Sequence, residues 1–241
     1  MSGAAINSTQ RRAARVVGLC YLLAMVTAVF GFTARGKLVV VDSALETARN
    51  IMASEQLFRL ATASDLLTFV IDIVLITSIY VVLRPVDRYL TLVALLWRVI
   101  ETALLAVVTL NSLDVLRYLG GAEYLRVFEV ERLHALARFS ISAIGGGYYF
   151  GFVFLGLGSA LFSYLWWRSG YVPKALAALG VFASLLLAAC NFGFVVYPGL
   201  AKLVGPYYMG PMGLFEVAMG FWLLFAELRS PLDSPAAQRS G

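Results

Sequence analysis

The sequence predicts an all-α fold, a polytopic membrane bundle of six transmembrane helices. Three observations carry that expectation. The 241-residue chain is 61% hydrophobic and only 14% charged, against about 45–50% and about 25% in soluble domains. The apolar residues fall into six long blocks, as expected if the surrounding solvent is a bilayer. Lys and Arg cluster at the ends of those blocks, where membrane flanks carry them. The formal net charge of +5 is therefore read as membrane anchoring, and no nucleic-acid partner is expected. The bilayer is the expected partner; oligomeric state is not legible.

The first block, 16–34, carries no charge and follows Arg11, Arg12 and Arg15. Its nineteen residues span about 30 Å at 1.5 Å per residue, longer than a usual signal-peptide core. A charged loop is expected over 35–58, with a short surface helix opened by the capping pair Ser43 and Glu46. The second and third spans, 60–83 and 89–113, form a hairpin around the turn Leu83-Arg84-Pro85-Val86. Residues 123–138 alternate apolar and charged groups, which suits a surface helix or an extension of the next span. His134 sits in that stretch and reads as a solvated interfacial residue.

The fourth span covers 139–167, where Gly147, Gly151 and Gly158 share one helix face and signal close helix packing. Trp166, Trp167 and Arg168 mark its interfacial end. The fifth span, 175–197, contains Asn191, and the sixth, 207–226, contains Glu216. Residues 1–228 read as a single six-helix transmembrane domain and 229–241 as a polar tail. Basic residues packed into short loops favour both termini in the cytoplasm, within a bacterial cytoplasmic membrane.

Several stretches carry a family resemblance. TARNIMASEQLFRL (47–60), the two aspartates of 65–72, YVVLRPVDRYL (80–90), the arginine of LLWRVIETA (95–103) and YLWWRSGYVPKALAALG (164–180) resemble the bacterial family named domain of unknown function 4386. The likeness runs from about residue 12 to 228. It implies a six-helix integral membrane protein and transfers no catalytic residues.

Function is sought in ionisable residues inside the spans. Asp65 and Asp72 lie two turns apart on one face; Arg98 and Glu101 can pair one turn apart; Glu216 is flanked by Gly213 and Gly220. One charge at the bilayer centre costs about 2.5–3.5 kcal/mol, so these five residues are expected to converge inside the bundle. Four acids around Arg98 leave an excess of negative charge, and at least one carboxyl should keep its proton at neutral pH.

Three readings stay open. The cluster is a buried ion network that fixes helix register. It binds a proton or a small lipophilic ligand, with Arg98, Glu101, Asn191 and Tyr148 as ligand contacts, in transport or sensing. Or Asp65, Asp72 and Glu216 act catalytically as acid and base on an isoprenoid-like substrate, as in a membrane-embedded cyclase. Prolines avoid the span centres and no internal repeat is evident, which weighs against transport. Cys20 and Cys190 lie in apolar blocks and His134 is the lone histidine, so no metal, disulfide framework, bis-histidine haem or other cofactor is expected.

Overall fold

The computed structural model describes residues 6–226 and Leu228; the expected 229–241 tail lies outside them. Among the described residues the secondary structure is helical throughout, with no strand. Helix α1 spans Ser8–Leu38. Its N-terminus is closed by a reciprocal capping box, Gln10 N–H donating to Asn7 Oδ1 (2.8 Å) and Asn7 N–H to Gln10 Oε1 (3.1 Å). Short α2 (Ala44–Ala53) begins at Ser43, whose hydroxyl accepts from Glu46 N–H at 3.1 Å.

Helix α3 (Glu55–Leu83) and α4 (Arg88–Thr109) form the expected hairpin. After a break at Leu110, α5 continues over Asn111–Leu119. Helix α6 runs unbroken over Val130–Ser169, so the charged stretch before residue 139 extends the fourth span. Gly170 ends it at φ 68°, the left-handed conformation that glycine adopts without a Cβ penalty. Helix α7 spans Lys174–Val196. The last span is interrupted: α8 (Gly199–Val204), a 3-10 turn (Gly205–Met209), then α9 (Gly210–Phe225).

Six segments are long and apolar enough to cross a membrane, and their faces are inverted relative to a soluble bundle. On α4 the buried stripe is Thr91, Ala94, Arg98, Glu101, Thr102, Leu105 and Thr109. Its outward face carries Leu92, Leu96, Val99, Ile100 and Val107. Helix α3 repeats the pattern, with Asp65 and Asp72 inside and Leu66, Leu67, Val70, Ile73 and Val74 outside. Apolar residues facing out and charges facing in are what lipid requires, and the protein is a multi-pass membrane protein.

The spanning helices close into a ring in which α1 packs on α3, α3 on α4, α4 on α6, α6 on α7, α7 on α9 and α9 on α1. Glycines set the closest crossings. A Cβ on Gly18 of α1 would stand 2.7 Å from the Gly220 carbonyl oxygen of α9, and one on Gly156 of α6 2.6 Å from the Ser184 carbonyl oxygen of α7. Gly147, Gly151 and Gly158 do share a face, and it is turned to α4, against Val108, Leu105 and Arg98.

At the end of the bundle where α1 begins and α9 ends, the terminus-bearing end, Asp87 joins the α3–α4 turn to the last turn of α6. Its Oδ1 accepts from Leu90 N–H (3.0 Å), capping α4, and its Oδ2 accepts from Arg168 Nη1 (2.9 Å) in the last turn of α6. The Leu90 amide, and then the Arg168 guanidinium, hold the Asp87 carboxyl below its usual value. A depressed folded-state pKa means that the stabilisation is complete above the unfolded value, about 3.9, and is lost as pH falls through the folded value. Asp87→Ala should therefore lower the melting temperature at pH above about 5, with the difference from wild type vanishing in stronger acid. Parallel thermal unfolding in detergent checks this.

Candidate functional site

Arg98 is the hub of a buried polar centre. Spacing on α4 places Glu101 one turn away, with Arg98 Nε 3.3 Å from Glu101 Oε2. Arg98 Nη2 lies 3.5 Å from Asp72 Oδ1 on α3, and Nη1 donates to Ser159 Oγ on α6 at 2.9 Å. Asp72, Arg98 and Glu101 are 8%, 4% and 1% exposed. The arginine stem fits because α6 has no side chain opposite it: a Cβ on Gly158 would meet Arg98 Cγ at 2.8 Å. Nε makes no aligned hydrogen bond, so its contact with Glu101 is purely ionic.

Glu216 on α9 and Tyr21 on α1 complete the centre, both within electrostatic reach of Arg98 and Asp72. Among the described residues Glu216 has no hydrogen bond or ion pair within 4 Å, and it is only half-buried. Asp72, Arg98, Ser159 and Glu216 each lie about 15 Å along their helices from the terminus-bearing end, at 1.5 Å per residue. The layer thus contains three carboxylates and one guanidinium.

Asp65 does not join this layer, contrary to the convergence expected of the five ionisable residues. It pairs with Arg35 of α1, and the two side chains are 6% and 13% exposed. The reason is that α1 continues past residue 34 and carries Arg35 into the bundle, where a loop was expected. Gly31, one turn before Arg35, makes room for the Asp65 carboxylate, which occupies the space a Cβ would need. Tyr148 of α6 belongs to this second layer, near Asp65, Arg35 and Thr109. The layer lies about 30 Å from the terminus-bearing end along α3, α4 and α6.

Asn191 stands apart from both layers. Its Nδ2 donates to the Leu187 carbonyl (2.8 Å), and its Oδ1 accepts from Tyr208 OH (3.3 Å). Tyr149, Phe194 and Tyr208 form an edge-to-face series, with centroids 5.3 and 5.1 Å apart. Of the two glycines flanking Glu216, Gly220 makes the close helix approach, while Gly213 meets only the Met25 terminal methyl at an ordinary 3.7 Å.

Arg35, Ser159 and Tyr21 were not singled out by sequence reasoning. Arg35 had a signal, because nothing in FTARGKL stops a helix before Val39 and Asp65 needed a partner. Ser159 and Tyr21 look like ordinary residues of apolar spans, and only the ring order brings them to Arg98.

This fold and centre define a class: α-helical multi-pass membrane proteins with a charged cluster buried at mid-bundle. Within it, residues 16–226 match the family described as domain of unknown function (DUF4386), and the chain belongs to that family. It is also similar to an Archaeoglobus fulgidus protein described as uncharacterized, 26% identical over 165 residues, which are 66% of this chain and 78% of the relative. No solved structure matches.

Proposed function

We propose that the central layer binds an exchangeable proton shared among Asp72, Glu101 and Glu216, with Arg98 as the fixed counter-charge. The observation that supports this is the imbalance of three carboxylates around one guanidinium inside a membrane bundle. Fully ionised, the layer would carry a net charge of −2 by that inventory, against a penalty of about 2.5–3.5 kcal/mol for even one charge at this depth. One retained proton reduces the imbalance and needs no large cavity. Arg98, held by Ser159 and by ionic contacts to both Asp72 and Glu101, is placed to stabilise whichever acids are ionised.

An isoprenoid-like substrate would need a pocket of about 300 Å³ or more. The tight packing of Asp72, Arg98 and Glu101 favours the proton over such a substrate. Potentiometric titration of the purified protein tests this reading. Wild type should exchange protons near neutral pH that Asp72→Asn/Glu101→Gln/Glu216→Gln does not. Equal titration of the two proteins would reject it.

We further propose that both termini face the cytoplasm. At that end Arg11, Arg12, Arg15, Arg84, Arg88, Arg168 and Lys174 lie close to helix ends, as the positive-inside tendency favours. At the opposite end Arg35 is withdrawn into its pair with Asp65. Single cysteines at residues 86 and 127, in a background with Cys20 and Cys190 replaced, should give opposite accessibility to an impermeant thiol reagent. Labelling of residue 86 from outside intact cells would reverse the orientation.

A further inference from the structure

Away from the terminus-bearing end, the surface between α3 and α5 is cut by a cleft. After the break at Leu110, α5 packs on α6 and buries Ser112 and Val115. Leu113, Leu116 and Arg117 of α5 are left beside Arg59 in the second turn of α3, and these four side chains line a volume of about 230 Å³. Counted from the α3–α4 turn at 1.5 Å per residue, Arg59 and Arg117 lie about 36 and about 43 Å along their helices. That is past a hydrocarbon core of about 30 Å and at the level of lipid headgroups.

From this placement we propose that the cleft holds the headgroup phosphate of an anionic phospholipid from the leaflet away from the termini. The ionisable lining consists of two arginines, and basic pockets between spanning helices suit anionic headgroups. Each arginine also meets a carboxylate of its own helix. Arg59 Nε donates to Glu55 Oε1 (2.7 Å) and Arg117 Nη1 to Asp114 Oδ1 (2.8 Å). Neither carboxylate lines the cleft. A guanidinium has five N–H donors, and each pair engages one carboxylate oxygen, so donors remain for a phosphate. Exposed ion pairs of this kind are weak; here they orient the two guanidinium groups.

The apolar surroundings select a lipid over a soluble anion. Leu113 and Leu116 are the remaining lining of the cleft. Arg59 shares its face of α3 with Ala63, Leu66 and Val70, at i+4, i+7 and i+11, and all are exposed. On α4, Val107 and Leu110 before the break are exposed as well. These side chains lead from the cleft towards the membrane centre and give acyl chains a surface to lie on. A free phosphate gains nothing from them. A zwitterionic headgroup carries an ammonium that the two arginines repel.

The test titrates full-length protein in neutral detergent with dioctanoyl phosphatidylglycerol or dioctanoyl phosphatidylcholine and counts bound lipid by native mass spectrometry. Wild type should bind the first phosphatidylglycerol about tenfold or more tightly than phosphatidylcholine, as two basic groups beside one anionic headgroup would give. Arg59→Gln/Arg117→Gln should remove that preference. Leu113→Trp, which fills the cleft and leaves every charge in place, should weaken phosphatidylglycerol binding. Glu55→Gln/Asp114→Asn, which keeps both arginines, should retain the preference. A preference that survives the arginine substitutions, binding that is untouched by Leu113→Trp, a preference lost with the two acids alone, or equal binding of both lipids by wild type overturns the proposal. Displacement of the bound lipid by millimolar inorganic phosphate also overturns it, in favour of a site for a free anion.

Discussion

Arg98→Met is expected to cost about 3–5 kcal/mol of stability, the range for breaking a buried ion pair by removing one partner. The substitution leaves Asp72 and Glu101 without the guanidinium that reaches both, and Ser159 without its donor. The loss should be largest at alkaline pH and should shrink as the medium is acidified, because unpaired buried carboxylates are relieved by taking up protons. Arg98→Lys should recover only part of it. An ammonium is a point charge and cannot reach Asp72, Glu101 and Ser159 as the planar guanidinium does. Unfolding in mixed micelles across a pH series measures both the size and the direction of the effect.

Arg35→Met should be comparably damaging, by about 3–5 kcal/mol, for the same physical reason at a different place. It strands Asp65, which is 5% exposed. The double variant Arg35→Met/Asp65→Leu should recover most of the loss, since replacing a buried pair with apolar side chains of similar volume is often neutral or better. Crossing the layers should rescue nothing. Asp72→Leu added to Arg35→Met should give the sum of the two single effects, because the two ion clusters share no partner. A double-variant cycle that couples Arg35 to Asp72 as strongly as to Asp65 would contradict the two-layer arrangement.

Much of this was legible in the sequence because lipid imposes a coarse rule. Blocks such as 60–83 must be helical, and the few charges within them must turn inward. That is why α3, α4 and α7 appear close to where hydropathy places them, and why Asp72, Arg98 and Glu101 meet. The Gly147, Gly151 and Gly158 face was visible from spacing, though its partner helix was not.

What escaped was set by where helices stop and which helices are neighbours. A hydropathy block ends at its first charge, so Arg35 was left in a loop and Asp65 was left without a counter-ion. Its backbone instead continues to Leu38, because a charge that finds a buried partner does not end a helix. Likewise α6 begins at Val130, since alternating charges outside the bilayer are compatible with the same helix. Ring order decides that Ser159 rather than some other hydroxyl faces Arg98, and no single-chain pattern carries that information. Pro198, Gly199, Lys202 and Pro206 read as a loop before the sixth span, whereas the chain there forms the short helix α8 and a 3-10 turn.

The central claim is that the layer of Asp72, Arg98, Glu101 and Glu216 keeps a proton inside the membrane. Infrared difference spectroscopy of the protein in nanodiscs at neutral pH, comparing wild type with Glu216→Gln, Asp72→Asn and Glu101→Gln, addresses it most directly. The account predicts a protonated-carboxyl C=O band in wild type that at least one of these substitutions removes or shifts. A wild-type spectrum with only ionised carboxylate bands, unchanged in form by all three substitutions, would contradict it and leave the layer a network of charges that fixes the packing of the helices.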